Sequence, residues 1–316
     1  MNVLGISFGR KMKNCEITVK QALKGAEAAG ANVKFIRAID LEIGHCIGCG
    51  ACSAGRSKGK PIRCVLKDDY EQLAEAVLDA DAVIVSAPVY VLGPVGQLKN
   101  FIDRFGPAHD YAAMIEDDKK AKEAGLPGVD PRAFKRRAVG YISVGGASTP
   151  NWVSMGLPGM YLFGFSNLMQ PVDQIDAYDM GRRASPFLDD KLMARLTQLG
   201  RNVAEAAEKD PENRPWMGDD AGVCPVCHNN LVSLAFGTTT VECPLCGIEG
   251  KLSIEGDKVK VDFSAQQQAR ARGTLAGLYE HVHELAGMKD VAIPKIQANK
   301  DFIAEKSAEY EAYLAD

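Results

Sequence analysis

The residues best suited to chemistry in this chain are its cysteines. Cys46-Ile-Gly-Cys49-Gly-Ala-Cys52 is followed by eleven residues and then Cys64, so four of the nine cysteines fall within nineteen positions. Two-residue gaps let successive thiolates converge on one centre, and closely grouped thiolates are the ligands of iron–sulfur clusters. Gly48 and Gly50 suit the tight turns that such a loop requires. A second set reads Cys224-Pro-Val-Cys227, fifteen residues, then Cys243-Pro-Leu-Cys246. Two Cys-x-x-Cys knuckles joined by a β-prone stretch predict a zinc ribbon, whose four thiolates close a tetrahedral site. Such a closed site is normally structural, and zinc is expected in it rather than iron, which four sulfurs also accept. His228, beside Cys227, is expected at the surface because the ligand set is already complete. Cys15 stands outside both sets.

The rest of the composition narrows the class. The chain has 316 residues, 46% hydrophobic and 25% charged, enough for two or three soluble domains. Charge is 37 basic against 41 acidic, a net of −4. A nucleic-acid footprint would need a basic surplus somewhere. Residues 222–262 carry three lysines against five acidic residues, so the ribbon does not supply one. The opening MNVLGISFGRKMKN has a short apolar run before its basic residues, the reverse of a secretory signal. No stretch approaches the roughly 20 apolar residues of a membrane span. A cytoplasmic protein with no membrane or nucleic-acid partner is expected. In that compartment clustered cysteines bind metals or catalyse rather than form disulfides.

The elements that must position these residues follow from periodicity. Residues 2–8 (NVLGISF) form a buried strand, and a helix follows from about Cys15 to Ala29 with Asn14 as its N-cap and Val19, Leu23 and Ala26 on its buried face. The loop between them offers free N–H groups and a positive helix end to a phosphate, with Ser7 and Arg10 adding a hydroxyl and a cation. On these residues alone it is equally an ordinary connection, since no Gly-rich fingerprint is present. Residues 32–38 alternate as a second strand, and the cysteine loop runs from about 40 to 67. Asp68 or Asp69, with Glu71 or Gln72 three residues on, predicts a capping box for the next helix. Residues 82–87 (AVIVSA) form a third, fully covered strand. Pro88-Val89-Tyr90-Val91-Leu92-Gly93-Pro94 then makes an irregular loop at a strand end where open parallel sheets bind ligands. Tyr90 there either stacks on a flat ring or plugs the core.

Leu98, Ile102 and Phe105 mark another buried helix stripe. Residues 108–135 read as a polar insertion with short helical pieces at most. Residues 138–144 form a fourth strand, followed by the small Gly145-Gly146 loop, and the Met- and aromatic-rich stretch 151–166 is expected as a helix. Residues 167–176, with Pro171, look like an edge strand, and a helix over about 188–209 closes the domain. This order predicts an α/β, doubly wound, five-stranded parallel sheet. The domains expected are 1–209, a linker and ribbon over 210–263, and a helical extension over 264–316. His281 and His283 are two apart on a helix and face different directions, so they are not expected to share a metal.

With these elements in place the chain resembles the flavodoxin-like NAD(P)H-dependent FMN reductase superfamily, and within it the iron–sulfur flavoproteins, over about residues 1–206. GIS…RKMKNCEI, the four-cysteine loop before KDDY, and SAPVYVLGPVGQLKNFIDRFGP carry the resemblance, the last most specifically. The resemblance implies FMN, with its phosphate near Ser7, Arg10, Asn14 and Cys15 and its ring near Pro88, Val89, Tyr90, Gly93, Gly145 and Gly146. Where the family usually has Thr or Ser, this chain has Cys15. The gap before Cys64 is also longer than in iron–sulfur flavoproteins, although lengthening a loop costs only on the order of 0.6 kcal/mol per doubling. The resemblance further implies a homo-oligomer.

The expected activity is FMN-dependent redox chemistry coupled to a 4Fe–4S cluster on Cys46, Cys49, Cys52 and Cys64, with electrons from NAD(P)H or ferredoxin and an unidentified acceptor. The cofactors would carry that chemistry and the protein would position them. Two rivals are a plain NAD(P)H:FMN or quinone reductase without a cluster, its Cys46–Cys64 set being a zinc site, free thiols or a redox disulfide, and a non-enzymatic electron-transfer or redox-sensing protein that docks a partner.

Overall fold

The uninterrupted apolar runs become the interior of a parallel sheet. The computed structural model describes residues 1–314. In chain order they form β1 (Asn2–Ser7), α1 (Asn14–Ala28), β2 (Asn32–Arg37), α2 (Ala51–Arg56), α3 (Tyr70–Asp79), β3 (Ala82–Tyr90), β4 (Gly93–Pro94), α4 (Gly96–Ala108) and α5 (Tyr111–Glu123). Next come β5 (Ala138–Val144), α6 (Gly156–Tyr161), β6 (Gln170–Ala177), α7 (Met180–Arg183) and α8 (Asp190–Ala207). The main sheet runs β2-β1-β3-β5-β6, all parallel. That is the flavodoxin-like order, whose ligand crevice lies at the carboxyl ends of the strands. Alternation sorts the strand residues by face. Leu4, Ile6, Val83, Val85 and Tyr141 meet α3 and α4, while Val3, Ile84 and Ile142 meet α1 and α8. A second, antiparallel sheet follows, from β7 (Ser233–Leu234), β8 (Thr240–Glu242), β9 (Glu249–Glu255) and β10 (Lys258–Asp262). The short α9 (Ala265–Ala269) leads to α10 (Leu275–Ala298) and α11 (Lys300–Ala312).

Several expectations change in detail. Lys13, not Asn14, precedes α1, and no side chain caps that helix. The third strand does not stop at 87 but runs to Tyr90 and folds back on Gly93–Pro94 as a hairpin. The insertion holds a thirteen-residue helix, α5, whose Ala112, Met114 and Ala121 are buried. The spacing of small residues hid that face. Residues 151–166 form only broken pieces around α6, because glycines and Pro158 interrupt them. β6 is the edge strand, with a register shift next to Pro171. The capping box at 68–72 does not form, because its carboxylates bind elsewhere.

The helices α1 and α8 pack backbone to backbone. A Cβ on Gly200 would stand 1.7 Å from the Ala22 carbonyl oxygen, and one on Gly25 would stand 2.0 Å from that of Thr197. No side chain can give way there. Gly200→Ala is therefore expected to cost about 1–3 kcal/mol, the usual range for overpacking, read as a lowered denaturant midpoint with unchanged m-value.

Candidate flavin edge and two cysteine centres

Because β1, β3 and β5 are parallel neighbours, the loops that leave them emerge on one edge of the sheet. At the end of β1, Ser7 is buried and its Oγ accepts the Gly9 N–H at 3.2 Å. The shape of the following loop is set by Glu16, which sequence reasoning missed. Its buried carboxylate accepts the Met12 N–H at 3.0 Å, Lys20 Nζ at 2.6 Å and Arg37 Nε at 2.8 Å. Burial pushes Glu16 up, but the bonds from Arg37 and Lys20 outweigh it and hold the group down at about 2. The visible signal was a Glu at the third helical position, which commonly reaches back over a helix start. With no side-chain cap, the first N–H groups of α1 remain directed toward the loop, beside an exposed Arg10. This arrangement fits an anion such as the phosphate of FMN. Cys15 is packed inward, where a Cβ on Gly9 would come within 2.8 Å of its Sγ. Burial pushes its thiol up to about 12, against bonding to Ser86 and the charge of Arg10. Its backbone N–H, rather than its thiol, is what it can offer a ligand.

The β3–β4 hairpin turns through Val91 at φ 50° and Leu92 at φ 71°. Two left-handed residues make the tight hairpin turn that Asn-Gly usually supplies, and a β-branched residue there is strained. The turn is held by pairing of Val89 with Pro94 and Tyr90 with Gly93, and by the Met155 N–H on the Leu92 carbonyl at 3.2 Å. Tyr90 is 57% exposed, so it is not a core plug. Pro88 pairs alongside Val144, which brings the hairpin next to the loop after β5. There Gly145 donates to the Ala177 carbonyl at 3.1 Å and packs on Val153, while Gly146 faces open space.

The cysteine loop has little regular structure of its own, and one stripe of α4 holds it. Gln97 Nε2 donates to the carbonyls of Ala38 (2.8 Å) and Leu41 (3.0 Å), and Asn100 Nδ2 to that of Ile43 (2.9 Å). Arg104 donates to Gly44 at 3.1 Å and to both oxygens of Asp68, at 2.6 and 2.9 Å. The acidic residues expected to cap α3 grip the loop, and Asp68 also accepts the Tyr70 N–H at the helix start at 3.2 Å. Asp69 accepts the Glu42 N–H, Asp68 the Gly44 N–H, and Glu71 the Cys64 N–H, at 2.8–2.9 Å. Arg104 first, helped by backbone N–H bonds, holds Asp68 below the usual carboxylate range despite burial.

Cys46 and Cys49 are exposed and Cys52 and Cys64 half-buried, and all four line one cavity of about 220 Å³ floored by Tyr70, Ala74, Leu78 and Ala108. Gly48 and Gly50 take φ 66°, and the Gly48 N–H points at Cys46 Sγ at 3.5 Å. Among the described residues, no three of these four sulfurs lie within 4.8 Å of one another.

The second set is different. Cys224, Cys227, Cys243 and Cys246 are buried with all four sulfurs within 4.8 Å, the 224–246 pair at 3.7 Å and the 227–243 pair at 3.6 Å. Sulfurs at about 2.3 Å from one tetrahedral ion stand roughly 3.8 Å apart. The geometry is that of a zinc-ribbon site, and it packs on Tyr161 and Phe165. His228 is no ligand: its ring stacks on Trp216 at 3.9 Å and its Nδ1 faces the Ala221 carbonyl.

The family described as NADPH-dependent FMN reductase matches residues 1–157. Over 299 residues, 90% of this chain and 88% of that protein, the chain is 30% identical to the flavone synthase cfoJ of Aspergillus candidus. The chain belongs to the NADPH-dependent FMN reductase family. As a member it is a flavin-dependent oxidoreductase and FMN is its cofactor. A solved structure described as a flavone reductase is 31% identical, with a TM-score of 0.84 covering 100% of this chain and 99% of that one. An iron–sulfur flavoprotein of Archaeoglobus fulgidus is 40% identical over 108 residues, 34% of this chain and 46% of that protein.

Two outcomes follow for this flavoprotein. Glu16 ionises far more readily folded than unfolded, so its contribution is full above pH 4.5 and is lost as pH falls toward 2. Glu16→Gln should flatten the acid limb of the stability curve in that window and weaken FMN binding, read by flavin fluorescence. Cys243→Ser should remove one metal ion per chain by elemental analysis and expose residues 223–262 to proteolysis while leaving the flavin bound.

Proposed function

We propose that this FMN reductase couples its flavin to an iron–sulfur cluster of the 4Fe–4S type on Cys46, Cys49, Cys52 and Cys64, and exchanges two electrons with a flavone-type ring. The observation that carries the cluster is the single cavity onto which these four cysteines converge, clamped to the same helix that begins at the flavin-side hairpin. The flavone-type substrate is supported by the names of two relatives similar over nearly the whole chain, a flavone synthase and a flavone reductase. The gap and the exposed cysteines do not oppose a cluster, since the loop is tied at both ends.

Bound FMN would accept a hydride as an electron pair and release electrons singly, and a cluster would pass them one at a time. Ser7, Arg10 and the backbone N–H groups of Asn14 and Cys15 would hold the phosphate. Gly146, with open space above it, would let the ring approach the backbone, and Pro88, Val89, Gly93 and Gly145 would frame it. The exposed ring of Tyr90 would give the flavin or a planar substrate an apolar face. NAD(P)H or a ferredoxin is the proposed donor. Zinc is the proposed ion of the ribbon, where its closed four-sulfur geometry makes it structural. Among the described residues no helix is long and apolar enough to cross a membrane. A homo-oligomer is proposed because α10 and α11 expose Leu285, Met288, Val291, Ile296, Phe302 and Tyr310.

Anaerobically purified protein should show flavin bands over a broad absorbance that bleaches with dithionite. Cys46→Ser should lose the broad absorbance and the matching iron while retaining FMN. An unchanged spectrum and iron content in that variant would remove the cluster. Flavone-dependent oxidation of NADPH, followed by product analysis, tests the substrate class, and no consumption of flavone with any donor would reject it.

A further inference from the structure

We propose that Arg104 is a positioning residue for the Cys46–Cys64 centre: its Nε–H is the hydrogen-bond donor kept for the Cys64 sulfur, and its charge favours the reduced state. This rests on the cluster reading and extends it. The Arg104 side chain is 1% exposed and immobilised on three sides. Its two terminal nitrogens are taken by Asp68 and the Gly44 carbonyl, and its plane lies over the Tyr70 ring at 4.2 Å. Three of its five N–H groups are used there, and Nε–H, fixed in the same plane, is buried and has no protein acceptor. Arg104 forms part of the wall of the cavity that the four cysteines rim. Cys64 is brought to this side of the cavity by Glu71, which follows the Tyr70 that the guanidinium lies on and accepts the Cys64 N–H at 2.8 Å.

A guanidinium locked in this way cannot turn its Nε–H toward another group. Buried donors are nearly always paired, so this one is left over for a ligand-bearing sulfur. A cation and a hydrogen bond at a ligand sulfur both disperse negative charge, and hydrogen bonds to the sulfurs help set a cluster's potential. Lysine could keep the ion pair with Asp68 but not the planar fork that aims Nε. A purely fastening role would also explain the Asp68 contact, but would leave the potential of the centre untouched.

The test uses the full chain, reconstituted with iron and sulfide without oxygen, as wild type, Arg104→Lys and Arg104→Gln. Iron, sulfide and FMN contents are measured first, then midpoint potentials by visible absorbance and electron paramagnetic resonance. Arg104→Gln should be about tenfold harder to reduce, a fall of about 59 mV for a one-electron couple. Arg104→Lys should lie between the two, with the flavin potential unchanged. Should Arg104→Gln fail to load, Arg104→Lys decides alone, since it retains a cation for Asp68. Loaded variants with wild-type potentials would overturn the role of Arg104 and leave the cluster standing. A wild type without iron and sulfide at this loop would overturn both.

Discussion

The buried ion pair between Arg104 and Asp68 is what the cysteine loop depends on. Residues 41–69 contain one six-residue helix and otherwise turns, so they bury too little to hold a shape by themselves. Asp68 collects both terminal nitrogens of Arg104 and the Gly44 N–H, and so joins the start of the loop, its end and α4 at one carboxylate. Desolvating such a pair is expensive, but removing one partner costs about 3–5 kcal/mol because the other charge stays buried. The pair therefore specifies one arrangement of the loop more than it adds to the stability of the chain. Glu16 does the same work at the other site, where three donors on one buried carboxylate fix the loop after β1.

The helix α4 connects the two sites mechanically. Its first residue follows the β3–β4 hairpin directly, and Arg104 comes eight positions later. At 1.5 Å per residue that is roughly 12 Å of rigid helix. Its apolar stripe, Leu98, Phe101, Ile102 and Phe105, is buried in the core, so its polar stripe cannot rotate away from the loop. A strained turn at one end and an ion pair at the other are held in register by that packing. Placing the hairpin and the cysteine loop along one helix keeps their separation constant, which a loop-to-loop arrangement would not.

Much of this was legible from residue spacing. Uninterrupted apolar runs announced the parallel strands, because a strand covered on both faces has no polar side to show. Cys-x-x-Cys knuckles announced the ribbon, because that spacing lets both thiols of a turn reach one ion. What the spacing did not show was where carboxylates go. Asp68, Asp69 and Glu71 match a helix-capping pattern, yet they bind N–H groups of a loop up to 27 residues away in sequence. The local pattern was correct and a distant partner outcompeted it. The hairpin at Val91–Leu92 was hidden for the opposite reason: neither residue favours a left-handed turn, and only tertiary pairing sustains it.

The two cysteine sets show how the same four ligands become different centres. In the ribbon each pair belongs to a tight knuckle, the sulfurs are 0–1% exposed, and neighbours stand 3.6–3.7 Å apart. That closure leaves room for one ion and no access to it, which suits a structural site. In the loop the sulfurs are spread around an open cavity, with one ligand delivered from beyond a short helix and a buried guanidinium alongside. Spread ligands suit a centre of several metal atoms, and exposure suits one that exchanges electrons with something outside. For the proposed cluster, reduction would add negative charge there, and Arg104 places a fixed positive charge where it would accumulate.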